Sequence, residues 1–183
     1  MTEITAAMLV GSLRTGSINQ RLARAIARYA PDTLRFRWIE MQDMPFYNGD
    51  LEVDRPAAVR AFVAAMQEVE AACIVTPEYN RSIPALLKNA IDWGSKPAAE
   101  NVWRDRVIAM TGASPGGIGT AVGQQHLRQI LAIQSATVLP GETYISFKTP
   151  DMIAEDGEIA DPEVRAFIAG FAARFAALAL RMR

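Results

Sequence analysis

Hydrophobic positions along the chain switch repeatedly between short continuous runs and a spacing of three to four residues. Residues 4–10 form a mostly apolar run, too short for a helix and followed at once by a glycine-bearing loop, which predicts a strand. From Ser17 onward Ile18, Leu22, Ala25, Ile26 and Tyr29 recur at helical spacing, with Ser17 a candidate N-cap. Residues 33–40 set Leu34, Phe36 and Trp38 against Arg35, Arg37 and Ile39, a pattern for a strand near a sheet edge. Residues 41–54, with Pro45, Asn48, Gly49 and several acids, read as a loop. A helix follows Asp54, with Val59, Phe62, Val63, Met66 and Val69 on one face. Strands are then expected at 72–76 and 105–111, separated by a helix over about 83–93. A fourth helix carries Leu127, Ile130 and Leu131, and residues 137–139 make a fifth strand, with 144–146 a candidate addition to it. After an acidic loop at 149–161 around Gly157, Asp161 and Pro162 mark the start of a last helix. Its apolar face is Val164, Phe167, Ile168, Phe171, Phe175 and Leu178.

Strands alternating with amphipathic helices imply βαβ units, a parallel sheet and right-handed crossovers. Five of each fit an α/β flavodoxin-like doubly wound sheet, order 2-1-3-4-5 with helices on both faces, better than a six-stranded dinucleotide fold. No repeat, low-complexity tract or linker interrupts the 183 residues, so a single domain over 1–183 is expected, burying about 70% of its unfolded surface.

Composition narrows the function. A net charge of −1 gives no electrostatic case for nucleic acid or an anionic membrane as partner. The chain has no run approaching a membrane span and no signal-peptide pattern, which makes the cytoplasm the expected location. One cysteine, Cys73, and one histidine, His126, leave no internal disulfide and no cysteine- or histidine-rich metal site.

Chemistry is expected where three polar loops follow strands 1, 3 and 4, because all three then share the carboxyl rim of the sheet. The first, residues 11–19, has the glycine spacing of a P-loop, but Ser17 stands where the phosphate-binding lysine is required. It also lacks the G-x-G-x-x-G of dinucleotide binders, although Glu40 lies about where their ribose-binding acid would be. What remains is a helix N-terminus, with Ser12, Ser17 and Asn19 as hydrogen-bonding groups and Arg14 to pair with a phosphate dianion. The bland alternative is a capped helix and a solvated arginine. The third loop contains Gly112-Ala113-Ser114-Pro115-Gly116, which matches the G-x-S-x-G elbow of α/β-hydrolases. That chemistry is rejected, because Pro115 has no N–H for the oxyanion hole and His126 follows too closely to leave room for the acid. A glycine-rich loop that lets a flat ligand approach the backbone is the better account.

Two stretches together resemble a known family. They are Gly11-Ser12-Leu13-Arg14-x-x-Ser17-x-Asn19 and the long motif running from Thr76-Pro77-Glu78-Tyr79-Asn80 through Lys88-Asn89-Ala90-Ile91-Asp92-Trp93. With Ser114-Pro115-Gly116-Gly117 and Gln125-His126-Leu127-Arg128, they are similar to the NAD(P)H-dependent FMN reductases, a flavodoxin-like group of quinone, chromate and azo-dye reductases. The resemblance implies noncovalent FMN near the interface of a homodimer or homotetramer, and NADPH or NADH as donor. Ser12, Arg14, Ser17 and Asn19 would bind the FMN phosphate; Pro77, Glu78, Tyr79 and Asn80 would border the ring; Ser114, Gly116 and Gly117 would line its other edge. It also implies hydride transfer from nicotinamide to flavin and then to a small acceptor in ping-pong fashion, with no catalytic side chain and no metal. A non-enzymatic flavodoxin-type electron carrier shares fold and cofactor, but such carriers are usually strongly acidic and this chain is nearly neutral. A Rossmann dehydrogenase is disfavoured by the missing glycine fingerprint. Arg81 and Arg104 are candidates to attract a 2′-phosphate.

Overall fold

The computed structural model describes residues 3–183. Its main sheet contains β1 (Ile4–Val10), β2 (Leu34–Trp38), β3 (Ala71–Val75), β4 (Val107–Thr111) and β6 (Thr137–Val138), all parallel, in the order β2-β1-β3-β4-β6. This is the expected flavodoxin-like topology. The numbering moves by one because a two-residue strand, β5 (Ala113–Ser114), precedes the edge strand. Residues 145–146 do not extend the edge strand. They form β7 (Ile145–Ser146), which pairs with β5 in a separate two-stranded ribbon.

Strand alternation sorts the core into two layers. Ile4, Ala6, Met8 and Val10 of β1 join Cys73 and Val75 of β3 beneath α1 (Ile18–Arg28) and α5 (Pro162–Met182). Ala7, Leu9, Ala72 and Ile74 face the other way, beneath α2 (Ala57–Gln67), α3 (Ala85–Gly94) and α4 (Ala121–Ile133). The central strands are buried on both faces, which is why they read as unbroken apolar runs. Phe171 and Phe175 of α5 are almost fully buried, and each contributes roughly 1.5–3 kcal/mol by leaving water. Cys73 lies at the sheet centre, and burial pushes its thiol well above the ordinary range.

Helix ends follow the local chemistry of the chain. Ser17 caps α1, its Oγ accepting from the N–H groups of Asn19 and Gln20 at 3.2 and 3.4 Å. Asp161 caps α5 with Pro162 in its first turn. The segment 149–161 lies along α1, where Arg21 donates to Pro150 O at 2.8 Å and Arg24 to Glu155 O at 2.6 Å. Arg28 pairs with Asp156 and Glu158. Gly157 (φ +89°) sits so close to α1 that a Cβ there would lie 2.5 Å from Ala25 N. The acids of this segment therefore answer the arginines of α1. No helix among the described residues is long and apolar enough to cross a membrane.

Candidate functional site

Ladder hydrogen bonds carry the sheet past its strand ends and fix three loops on one rim. Gly11 N donates to Val75 O at 2.9 Å, and Thr76 N donates to Thr111 O at 2.9 Å. Loops 11–17, 76–84 and 112–120 are thereby placed side by side. Gly112 sits at their junction, where a Cβ would fall 2.0 Å from Thr76 O and 2.5 Å from Thr120 Oγ1. Only glycine fits there.

A cleft of about 190 Å³ opens between the loops, lined by Ser12, Arg14, Ser17, Asn19, Pro77, Glu78, Tyr79 and Ser114. Ile18, Ala113 and Pro115 complete its wall, and sequence reasoning missed these three as site residues. Their signal was adjacency to the named positions. Asn80, Gly116 and Gly117 do not line this cleft; all three are exposed on the flanking loops.

The cleft residues divide into committed and free groups. Asn19 is committed: its Nδ2 donates to Ala113 O at 3.0 Å, and its Oδ1 accepts from Ala113 N at 2.9 Å. This buried pair locks the first loop to the third. Ser17 Oγ is used as the helix cap. The side chains of Ser12 and Arg14 have no hydrogen-bond partner among the described residues, and Arg14 is exposed at the mouth of the N-terminus of α1. A free guanidinium beside the partial positive charge of a helix N-terminus suits a phosphate.

The second loop spends its polar groups on its own shape. Tyr79 and Ser82 exchange two backbone hydrogen bonds at 2.9 Å around Asn80 (φ 51°) and Arg81 (φ 66°), a left-handed pair that sets a tight turn. The Glu78 carboxylate accepts from Gly123 N in the first turn of α4 at 2.8 Å and pairs with Arg81 at 3.0 Å. Its side chain is only 8% exposed. Gly123 permits this approach, since a Cβ would meet Ser82 O at 3.1 Å and Glu78 Cγ at 3.3 Å. Tyr79 is half-exposed on the cleft edge.

Two further motif regions have structural partners. Asn89 donates to Pro45 O at 2.9 Å and accepts from Tyr47 N at 2.8 Å, while Trp93 Nε1 also reaches Pro45 O at 2.8 Å. This end of the long motif therefore pins the 41–54 segment, which includes a short 3₁₀ turn (Gly49–Leu51). Tyr47 packs edge-on against Trp93 and donates to Glu52, a bond that raises its phenol above the usual range. The hydrolase reading fails on geometry as well. Ser114 Oγ accepts from Gly116 N at 3.0 Å, and His126 Nδ1 lies 2.7 Å from Ser82 Oγ instead.

An open parallel sheet with a polar crevice across its switch point and a free cation at a helix N-terminus defines a mononucleotide-binding flavodoxin-like protein. Residues 4–150 match the model of the NADPH-dependent FMN reductase family. A 2-hydroxy-1,4-benzoquinone reductase from Burkholderia sp. is 38% identical over 172 residues, covering 93% of each chain. An NAD(P)H:quinone oxidoreductase from Solanum tuberosum is 36% identical over 187 residues, covering 98% of this chain and 95% of the other. Among solved structures, FerB, a flavoenzyme NAD(P)H:(acceptor) oxidoreductase from Paracoccus denitrificans, superposes with a TM-score of 0.92 at 35% identity, covering 97% and 98% of the two chains. The chain belongs to the NADPH-dependent FMN reductase family. It is an oxidoreductase of that family, with FMN as cofactor and NAD(P)H as electron donor.

The residues present suit FMN. Arg14 and Ser12 are free for its phosphate, and the packing at Gly112 brings the three loops close enough to share one ligand. The hydrogen-bonded turn at 79–82 presents a fixed backbone at the other end.

Proposed function

We propose that the protein is a quinone-reductase-type enzyme, with residues 1–183 acting as one FMN-binding domain in the cytoplasm. Bound FMN supplies hydride acceptance from NAD(P)H and delivery to a small acceptor (a quinone, flavin, azo compound or chromate) in alternating half-reactions. The observation that carries this reading is the unpartnered side chains of Arg14 and Ser12 at the end of a cleft where Ser17, Asn19, Glu78 and Ser114 are already engaged. Arg14 and Ser12 bind phosphate, assisted by the Ser17 end of α1. Asn19 contributes by positioning the third loop through Ala113. Pro77, Glu78 and Tyr79 hold the ring edge, with Asn80 in the exposed turn beside them and the Glu78 carboxylate as a brace on α4 rather than a proton carrier. Ser114 borders the opposite edge, with Gly116 and Gly117 on the exposed loop that flanks it. No side chain of the cleft is needed as acid or base.

The resemblance to the family supports assembly as a homodimer or homotetramer, with FMN near the subunit interface. Quinones are the favoured acceptors, because the curated relatives at 36–38% identity carry that activity in their names. The test is the visible spectrum of purified protein with added FMN, followed by anaerobic NADPH and then a benzoquinone. A flavin spectrum that bleaches and recovers, with parallel double-reciprocal lines in steady state, is expected. No bound flavin would defeat the cofactor reading; intersecting lines would defeat the ping-pong order alone.

A further inference from the structure

Two adjacent residues in the first turn of α4 reach opposite sides of the cleft. Gly123 N donates to the Glu78 carboxylate of loop 76–84 at 2.8 Å. The next residue, Gln124, is only 2% exposed and serves loop 112–120. Its Nε2 donates to Thr120 Oγ1 at 2.9 Å and to Thr143 O at 3.0 Å. Thr143 O can only accept, so the amide has one orientation. Thr120 is fully buried where that loop ends, and its hydroxyl is the one a Cβ on Gly112 would meet at 2.5 Å. Thr143 leads into β7, whose Ile145 N donates to Gly112 O at 2.8 Å and whose pairing with β5 fixes where the loop begins. One amide therefore ties the end of the loop to the strand that holds its beginning.

Neither packing nor stability accounts for an amide at this position. Gln124 Oε1 is buried without a hydrogen-bond partner among the described residues, which is destabilising. An unbranched apolar side chain would fill the same space without that cost. What the amide adds is direction, and the loop needs it, because Gly116, Gly117 and Gly119 give it little stiffness of its own. We propose that Gln124 is a positioning residue for the flavin chemistry. Through Thr120 and Thr143 it sets loop 112–120 at a fixed distance from loop 76–84, which the preceding residue holds. The proposal rests on FMN lying between these loops.

The test compares FMN-loaded wild type with Gln124→Met, which keeps the length of the side chain and removes the amide. The melting temperature of the variant is expected to stay within about 5 °C of wild type, since an unmet buried acceptor leaves together with the two bonds. Reduction of its bound FMN at saturating NADPH, followed by stopped flow, is expected to slow about tenfold, as for a ring displaced by a fraction of an ångström. The visible circular dichroism of the flavin should change with it. An unchanged rate and unchanged dichroism overturn the role, whatever the melting temperature does. Thr120→Val guards against a Gln124 variant that fails to fold. It deletes one acceptor, leaves the amide its bond to Thr143, and is expected to slow reduction by a smaller factor. A Thr120→Val enzyme as fast as wild type also overturns the role. A wild type that binds no FMN defeats the flavin reading instead, and is seen before any variant is compared.

Discussion

The two loops that flank the switch point are built on opposite plans. Loop 11–17 leaves its chemistry open: Leu13 is 64% exposed, Arg14 is unpaired, and Gly16 (φ +69°) has nothing within 4 Å of where a Cβ would stand. Loop 76–84 leaves almost nothing open. Thr76 Oγ1 donates to Pro77 O, Glu78 braces α4, and Tyr79 and Ser82 close a turn on each other. A loop that recognises charge must keep its charge available, whereas a loop that presents backbone to a flat ring must hold one shape. The difference lies in where hydrogen-bonding capacity is spent, and it separates binding residues from bracing ones.

The contrast can be broken first at the seam the loops share. Gly112→Ala forces a methyl into Thr76 O and should cost at least about 3 kcal/mol in urea denaturation, with flavin lost from both ends of the cleft. A stable, yellow variant would show that the rim can open without harm. Next, Arg14→Ala and Glu78→Ala should part company. Arg14→Ala is expected to weaken FMN roughly 10–100-fold at unchanged melting temperature, as for a lost hydrogen bond to a charged group. Glu78→Ala should instead cost about 1–3 kcal/mol of stability, since it strips Gly123 N of a buried partner. Glu78→Gln, which keeps an acceptor there, should recover much of that loss. Identical profiles for the two alanine variants would erase the distinction. The smallest effect is conformational. Gly16→Ala should cost about 1–2 kcal/mol from backbone strain alone, because the space is free. Asn80→Gly, already left-handed, should stay within about 1 kcal/mol of wild type by thermal melting.

The frame of the molecule was readable because β1, β3 and β4 are buried on both faces and announce themselves as apolar runs. Ser17 and Asp161 were readable as caps for an equally local reason. The β5–β7 ribbon was not, since two residues carry no periodicity and its partners are 32 positions apart (Ala113 with Ile145). Asn19 shows the same limit within the site. Its residue type and loop placed it near the phosphate, but its engagement with Ala113 spans 94 positions and has no local sign. Asn89 and Trp93 belong to a motif specific enough to name the family, yet their hydrogen bonds go to the 41–54 segment. A motif records what the fold requires as well as what the chemistry requires.

The acidic strap over α1 has a consequence for chain entropy. The groups that fasten α1, Pro150, Glu155, Asp156, Gly157 and Glu158, lie about 130 positions further along the chain. Phe175, stacked on Phe36 at 6.5 Å, lies further on still. Contacts of such long sequence separation carry a large loop-closure cost. Fastening α1 therefore carries the entropy cost of closing a loop of about 130 residues.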